Sequence, residues 1–370
     1  MKRFILFSIL IAFFASSCTK KEVFDTQKNI TLENPGELRE LLSEDEKSHL
    51  TELIISGPLN GTDIITIRAM ASYEALAILD MSGASIVDDS IGYYIDQEGD
   101  IFYTVNDEIS TYMFKGCKVL QRIILPRNLK TIGEEAFINC NKLTSVTFPD
   151  GIDSIGERAF YKTKINGELN LPESLRIIGR QAFADTEIET VIINSDIEAG
   201  KYSTVYAYGG NSVFAYCDRL KTVLVKEGCT KLEIGFQACD SLNLVILPST
   251  LLFLGQSSHS SGNHLFNFCH KLQSISLPEN LQIIGEFCFA HTGIQEMSIP
   301  NCVETIQSAA FAGMPLKTLH IFWENPLHIP STTFLDVELH ESTLYVPNGT
   351  YSKYRNQSPW SDFLRIIERN

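Results

Sequence analysis

The sequence is poor in several features that mark other classes of protein. Of its 370 residues, 30 are Lys or Arg and 45 are Asp or Glu, so the formal net charge is −15 at pH 7. Nucleic acids and anionic membrane surfaces both demand basic patches, so the sequence predicts neither as a partner. No HExxH, GxSxG, P-loop, GxGxxG or CxxC motif is present. The sequence therefore predicts no catalytic residues, no cofactor and no metal ligands.

Long hydrophobic runs are also missing, apart from one at the N-terminus. Two basic residues precede an apolar run from Phe4 to Ala15, which is too short to span a bilayer and typical of a signal peptide. Small residues then lead to Cys18, and this pattern resembles a bacterial lipobox. The pattern predicts a lipoprotein signal peptide over residues 1–17, with lipid on Cys18 after cleavage. The alternative is an ordinary cleaved signal in which Cys18 is incidental.

What the chain does have is a repeat. The stretch IGEEAF at 132–137 returns as IGERAF at 155–160, IGRQAF at 178–183 and IGEFCF at 284–289. Its phenylalanine recurs at intervals of 22 or 23 residues, apart from two intervals of 31 and 30. A fixed period in the twenties predicts a solenoid in which each repeat is one coil. Ten phenylalanines are predicted to stack as its structural spine: Phe114, Phe137, Phe160, Phe183, Phe214, Phe236, Phe266, Phe289, Phe311 and Phe334.

Each unit reads L-x-x-I-x-L-P and then x-x-L-x-x-I-G-x-x-A-F-x-x-C/T. The spacing of the first half predicts a short strand whose slots 1, 4 and 6 face inward, and proline ends that strand because it cannot donate to the ladder. The Ile-Gly pair predicts a second short strand and a tight turn, and the Ala-Phe pair a helical or 3₁₀ turn. The prediction is a single elongated, β-rich domain with a cap at each end.

Most of the nine cysteines follow the same period. Five of them lie three residues after a spine phenylalanine, and threonine fills that slot in three other repeats. Such a slot favours a small, buried, weakly polar side chain, so we expect free thiols. Cysteines of stacked coils would lie roughly 5 Å apart by strand spacing, so a disulfide between them stays an open alternative.

Segments outside the regular repeats predict the domain organisation. Leucines at helical spacing indicate a helix over 37–50, capped by Asn34 or Ser43, and the aromatics of 351–367 indicate a second helix near the end. The predicted segments are the signal peptide (1–17), a polar tether (18–30), an N-terminal cap with irregular repeats (31–113), regular repeats (114–340) and a C-terminal cap (341–370).

The IGxxAFxxC unit with LxxIxLP resembles the BspA-like leucine-rich repeat of bacterial surface lipoproteins. The opening LTELIISGPLNGTDI and the ending LYVP…Y…W…F are similar to that family too, so the resemblance covers about residues 50–370. It implies a leucine-rich-repeat solenoid and a role in binding or adhesion, often to host proteins. It carries no catalytic residues and no fixed set of binding residues. With lipid on Cys18, it implies attachment to the outer membrane of the cell envelope, on the surface-exposed or the periplasmic side.

Two overlong repeats indicate where a ligand could bind. They carry about 8 extra residues within 195–213 and about 7 within 249–265, and insertions in a solenoid often lie on its binding side. Tyrosines in the first insertion offer amphipathic contact area. The predicted contact residues are Tyr202, Tyr206 and Tyr208 of that insertion, with Ile192, Leu224, Leu244 and Ile246 from the outward slots of nearby strands.

Those four aliphatic residues form an apolar stripe, because the outward slots of other repeats are polar. We expect the two insertions to border this stripe; the alternative is that they fold over it and bury it as extra core. The polar outward pairs are Ser145/Thr147, Glu168/Asn170, Ser274/Ser276 and Glu296/Ser298.

The leading functional hypothesis is a lipid-anchored recognition or adhesion protein whose ligand is a protein or a glycan, with host-derived ligands among the candidates. One alternative is a polysaccharide-active solenoid enzyme, which would need clustered carboxylates on one face. Only Glu168 and Glu296 occupy outward slots of the strands, and they lie several repeats apart. The other alternative is a structural envelope spacer without a ligand.

Overall fold

The computed structural model describes residues 25–200, 212–255 and 264–369. Over these ranges the chain winds into a parallel β-solenoid of about 14 turns, which confirms the predicted leucine-rich-repeat fold class. A regular coil has three parts. A strand on the strand face comes first, a two-residue strand on the short-strand face follows, and a turn on the turn face carries the spine phenylalanine.

Most elements are strands, and they pair in parallel except for β4 and β5, which are antiparallel. In chain order the strands are β1 Gln27–Thr31, β2 Glu52–Leu59, β3 Ile78–Ile86, β4 Tyr94–Ile95, β5 Ile101–Phe102, β6 Glu108–Ile109, β7 Arg122–Ile124, β8 Thr131–Ile132, β9 Ser145–Thr147, β10 Ser154–Ile155, β11 Asn166–Asn170, β12 Ile177–Ile178, β13 Glu187–Ile193, β14 Glu198–Ala199, β15 Thr222–Val225, β16 Lys231–Leu232, β17 Leu244–Ile246, β18 Phe253–Leu254, β19 Ile283–Ile284, β20 Glu296–Ile299, β21 Thr305–Ile306, β22 Thr318–Ile321, β23 Thr343–Pro347 and β24 Arg365–Arg369.

The described helices lie towards the two ends of the chain. They are α1 Leu38–Leu41, α2 Glu44–His49, α3 Gly61–Tyr73 and α4 Tyr351–Arg355, with 3₁₀ helices at Leu339–Glu341 and Trp360–Asp362. On the strand face the sheets run β1-β2-β3-β7-β9, β11-β13-β15-β17 and β20-β22-β23-β24. The short-strand face holds β6-β8-β10-β12-β14 and then β16-β18-β19-β21.

The Ile-Gly pair of each coil is explained by how closely the coils approach each other. A Cβ added at Gly156 would lie 2.6 Å from the backbone nitrogen of Glu134 in the preceding coil, and one at Gly133 would lie 2.6 Å from the nitrogen of Thr111. Side chains are never tolerated this close to backbone, so the repeat keeps glycine there. The isoleucine beside it points inward, and Ile132 is fully buried.

The spine phenylalanines stack in one continuous ribbon. All ten are buried, with at most 5 % of the side chain exposed. The nine successive pairs have ring centroids 5.0 to 6.1 Å apart and ring planes within 25° of parallel. Each ring thus fills the space between two neighbours, and the coils share one core.

Backbone hydrogen bonds tie the turns together in a single direction. Glu135, Phe137 and Asn139 donate their N–H groups to carbonyls of the next coil at 2.8, 2.7 and 3.2 Å. The same pattern recurs along the turn face up to Phe311, which donates to Thr333 at 3.1 Å. At the opposite end Arg68 of α3 donates to the carbonyl oxygen of Tyr112 at 2.8 Å and to that of Met113. We call the series of backbone hydrogen bonds between successive turns the turn ladder.

The cysteine and threonine slot lies inside the turn ladder. The five cysteines of this slot are buried, and every described cysteine is a free thiol, as expected from the sequence. Cys140, for example, donates its Sγ–H to the carbonyl of Phe114 in the preceding coil, whereas Thr163 donates to Phe160 in its own coil. Burial raises the pKa of Cys269 to about 12, so this thiol stays protonated and donates to the carbonyl of Phe236 at 3.1 Å.

The two ends of the chain differ from the elements predicted for them. The helix predicted over 37–50 is two short helices, α1 and α2. Ser43 caps α2: its hydroxyl oxygen accepts the N–H of Glu46, and its own N–H donates to the Glu46 carboxylate. β1 begins at Gln27, so the last residues of the predicted tether pair with β2. Near the other end, the segment 351–367 holds only short helices and enters β24, because its backbone pairs with β23.

Candidate functional site

The predicted apolar stripe forms a continuous row on the strand face. Parallel pairing places Ile192 of β13 beside Leu224 of β15, and Leu224 beside Ile246 of β17. Neighbouring strands lie about 4.8 Å apart, so these three side chains form one contiguous surface. Leu244 occupies the adjoining outward slot of β17. Leu244 and Ile246 are 46 % and 45 % exposed, and Ile192 and Leu224 are half-buried.

Polar outward slots surround this row, as the sequence predicted. All four polar pairs named above point to solvent and are exposed. Within the stripe's own strands the second row is Thr190, Thr222 and Leu244. The stripe is therefore a local apolar area on a polar face, which is the pattern of a contact surface with a polar rim.

Ion pairs lie where the strands of the stripe begin. Lys221 Nζ lies 2.8 Å from Glu189 Oε2, and this hydrogen bond lowers the pKa of the Glu189 carboxyl. Glu187 pairs with Lys164 at 3.0 Å and with Arg219 at 3.2 Å. Exposed pairs of this kind contribute little to stability, so their effect here is a charged rim beside the apolar row.

The insertions leave the coil on a different side from the stripe. The first follows β14 and precedes Phe214, and the second follows β18 and precedes Phe266. Both positions lie between the short-strand face and the turn face, whereas the stripe lies on the strand face. The structure thus does not bring the described ends of the insertions to the stripe. The predicted contact residues Tyr202, Tyr206 and Tyr208 lie outside the described residues.

The strand face is interrupted on both sides of the stripe, and sequence reasoning did not find these interruptions. Between β9 and β11 lies the first cleft, of about 580 Å³, whose walls include Phe148, Leu171 and Glu168. Between 275–277 and β20 lies the second cleft, of about 430 Å³. Clefts of 300 to 1,000 Å³ are the usual size of ligand pockets. Only the first cleft is indicated by a feature of the sequence, which is the Asn-Gly pair at 166–167.

The described residues offer little for metal binding or membrane insertion. Over these ranges no three His, Cys, Asp or Glu side chains are grouped so that they could hold a metal ion. The ring centroids of His264 and Phe287 lie 4.9 Å apart, and burial lowers the pKa of His264. His270 Nδ1 lies 3.2 Å from Asp240 Oδ1. Among the helices in the described ranges, none has the length and apolar character needed to cross a membrane. The predicted lipidation site, Cys18, lies outside the described residues.

Comparison with known proteins identifies the repeat. The family model described as "BspA type Leucine rich repeat region" matches in six copies over residues 101–208, 202–265 and 257–353. The chain belongs to the BspA-type leucine-rich-repeat family. Its IGxxAFxxC unit and stacked phenylalanines are thus features of a BspA-type repeat, and the resemblance seen in the sequence is confirmed. No curated protein matches this BspA-type chain.

Several solved structures are similar to this BspA-type chain at low identity, and one of them reaches a TM-score above 0.5. A leucine-rich repeat protein from Bacteroides ovatus is 22 % identical, with 79 % of this chain and 69 % of that chain covered and a TM-score of 0.54. The pneumococcal vaccine antigen PcpA is 18 % identical, with coverage of 89 % and 82 % and a TM-score of 0.41. A leucine rich cell surface protein from Faecalibacterium prausnitzii is 19 % identical, with coverage of 87 % and 79 % and a TM-score of 0.38.

Proposed function

We propose that this BspA-type protein is a lipid-anchored recognition and adhesion protein of the cell envelope, which binds a protein ligand through the apolar stripe of its strand face. Membership of a leucine-rich-repeat surface-protein family supports a role in protein interaction or adhesion. The observation that carries the proposal is the apolar row formed by the half-buried Ile192 and Leu224 and the exposed Ile246. Isolated apolar residues are common on surfaces, but a contiguous apolar row with a polar rim favours a partner.

The proposed ligand is a protein rather than a glycan because the stripe itself is aliphatic. Burying aliphatic surface contributes about 25 cal/mol per Å², so two exposed side chains such as Leu244 and Ile246 can act as anchors at the centre of an interface. A host-derived ligand and attachment to the outer membrane belong to the same proposal. In that setting Cys18 would carry the lipid, and the solenoid would project from the membrane on its N-terminal segment.

The stripe is tested by a charge substitution with a matched control. Cells that produce the full chain are probed with an array of purified extracellular-matrix proteins and glycans, and each bound ligand is then titrated. Ile246→Glu should weaken binding at least about tenfold, because a carboxylate would be desolvated in an apolar contact. Ser298→Glu places the same charge in an exposed outward slot of β20 and should leave binding unchanged. Equal binding by both variants would refute the stripe as the contact surface.

The anchor is tested separately by fatty-acid labelling. Cells fed a clickable fatty acid should label the wild-type chain, and Cys18→Ser should abolish the label and release the protein from the membrane fraction. Labelling that persists in the Cys18→Ser variant would disprove the lipid site without bearing on the stripe.

A further inference from the structure

The first cleft opens because two neighbouring strands of the strand face start together and then separate. Lys164 donates its N–H to the carbonyl of Leu143 at 2.9 Å, and Asn166 donates to Thr144 at 3.3 Å. Beyond these two bonds, β9 pairs with β7 on one side and β11 pairs with β13 on the other. In the described ranges, no backbone hydrogen bond joins β9 to β11, so both present an open edge to the cleft.

A glycine accounts for the separation. The interval between inward residues is three in the regular unit, as from Leu143 to Val146, but four from Ile165 to Leu169. Gly167 lies within this longer interval with φ of +73°, and the pairing of β11 with β13 shifts register between Gly167 and Glu168. The shift leaves Glu189 of β13 without a partner in β11. The left-handed glycine turns β11 beside this irregularity, so β11 leaves the line of β9 at this point.

The open edges carry backbone groups that a further strand would use. Successive residues of a strand direct their N–H and C=O groups to opposite neighbours. Thr147 accepts from Leu125 of the β7 side at 3.2 Å, so the N–H and C=O of Val146 point away from β7, towards the cleft. Leu171 donates to Ile192 of β13 at 3.0 Å, so the N–H and C=O of Asn170 point towards the cleft from the other side.

The side chains around the cleft carry charge of one sign. Asp150, Glu168 and Glu173 line it, together with apolar side chains and the amides of Asn170 and Asn194, and no Lys, Arg or His lies among its lining residues. None of these three carboxylates forms an ion pair with another described side chain. The second cleft differs, because its Glu296 pairs with His320 at 3.3 Å.

We propose that the first cleft binds an extended basic peptide segment of a partner protein, which adds as a parallel strand between β9 and β11. Both edges supply main-chain partners, as in other cases of strand addition, and the carboxylates select Lys and Arg side chains. The lengths of β9 and β11 set the paired segment at about three to five residues. Asp150 and Glu173 follow the carboxyl ends of the two strands, so the basic residues belong at the carboxyl end of the peptide. This site is separate from the stripe and does not depend on it.

The probe for this site is a fluorescent, end-blocked peptide, Val-Thr-Val-Lys-Val-Lys, titrated against the full chain in low salt with anisotropy as the readout. Two matched probes accompany it: one with Glu in place of both Lys, and one that keeps both Lys but is N-methylated at alternate amides. The basic probe should bind saturably, and both others should bind at least about tenfold more weakly. Equal binding of the N-methylated probe would overturn strand addition, because charge alone would then explain the affinity.

Variants of the chain locate the probe. Glu168→Lys should weaken binding of the basic probe at least about tenfold, whereas Glu279→Lys, at the second cleft, should not. Ile246→Glu should also leave it unchanged, so a failure of this proposal can be told from a failure of the stripe. If Glu168→Lys does not fold, Asp150→Asn combined with Glu173→Gln removes two charges with little change in shape and should weaken the probe as well. No saturable binding, or the same loss in Glu279→Lys, would refute the site.

Discussion

At the scale of single residues, the spine phenylalanine is the side chain on which each coil depends. Phe183 stacks on Phe160 at 5.0 Å and on Phe214 at 5.4 Å, and it is fully buried. The second of these contacts crosses the first overlong coil, yet its geometry matches that of regular coils. The spine rings therefore stack in the same way across a long coil and a short coil, and the extra residues lengthen the coil without displacing the ring.

Replacing Phe183 by Ala should lower the free energy of unfolding by about 3–5 kcal/mol, because it removes a buried ring and leaves a cavity between two others. Denaturant unfolding followed by circular dichroism measures the change. Tyr216→Ala is the control, since this aromatic side chain is 46 % exposed on the turn face and should change stability little. A loss below about 1 kcal/mol for Phe183→Ala would contradict the stacked spine.

At the scale of elements, helix α3 ends the turn ladder at the first turn. Every turn donates its N–H groups towards the next coil, so the carbonyls of the first turn have no turn before them. Arg68 of α3 supplies that donor to the carbonyl of Met113, the residue that corresponds to Ala136 of the next coil. It also donates to the carbonyl of Tyr112, which accepts the N–H of Lys115 as well, and its guanidinium lies 4.9 Å from the centre of the Tyr94 ring. The helix thus ends the turn ladder chemically, as a capping residue ends a helix.

Arg68→Met should therefore destabilise the chain by about 2–3 kcal/mol, because a charged donor to two carbonyls is lost while the apolar stem remains. Hydrogen exchange should show the effect concentrated in the first turns after Met113. Arg127→Met, at an exposed arginine, serves as the control and should be nearly neutral. Equal effects of the two substitutions would show that Arg68 does not cap the ladder.

The sequence predicted those elements that the repeat itself specifies. Period, inward slots and the Ile-Gly pair led to coils and to the phenylalanine spine, because each has a direct steric cause such as the close approach at Gly156. Helix α3 was missed although Asn60 and Asp63 form a capping box, since its apolar residues do not follow one narrow stripe. β24 was mistaken for helix because its pairing with β23 is tertiary and leaves no local signal.

The candidate site was predictable only in part. Outward slots follow from the strand period, so Ile192, Leu224 and Ile246 could be placed on one surface. The first cleft depends on the interval of four residues between the inward Ile165 and Leu169, which contains Gly167. A search for regular repeats passes over such an irregular interval. The second cleft arises at LQSISLP, a unit of regular form, and nothing in its residues explains the missing ladder bonds.

At the scale of the whole molecule, the strand face is three sheets rather than one. Residues 273–277 fill the place of a strand between β17 and β20, but this segment makes no backbone hydrogen bond to any described residue. The turn ladder stays continuous beside it, because Phe268 donates to Ala290 at 3.0 Å. The solenoid is therefore held on its turn face where its strand face is open.

Amides of 273–277 should exchange with solvent at least about tenfold faster than those of β15, because exchange follows the cost of local opening. Hydrogen exchange measured by mass spectrometry on overlapping peptides makes the comparison within one sample. Equal protection of the two segments would show that a ladder forms there in solution.

The common direction of the turn ladder also bears on how such a gene can grow. From Phe114 to Phe311 each turn offers donors to the following coil and acceptors to the preceding one. A tandem duplication of one regular unit would insert a coil that meets the same groups on both sides. Recombination between units can therefore lengthen or shorten the reach of this protein in single steps while both chain ends keep their partners.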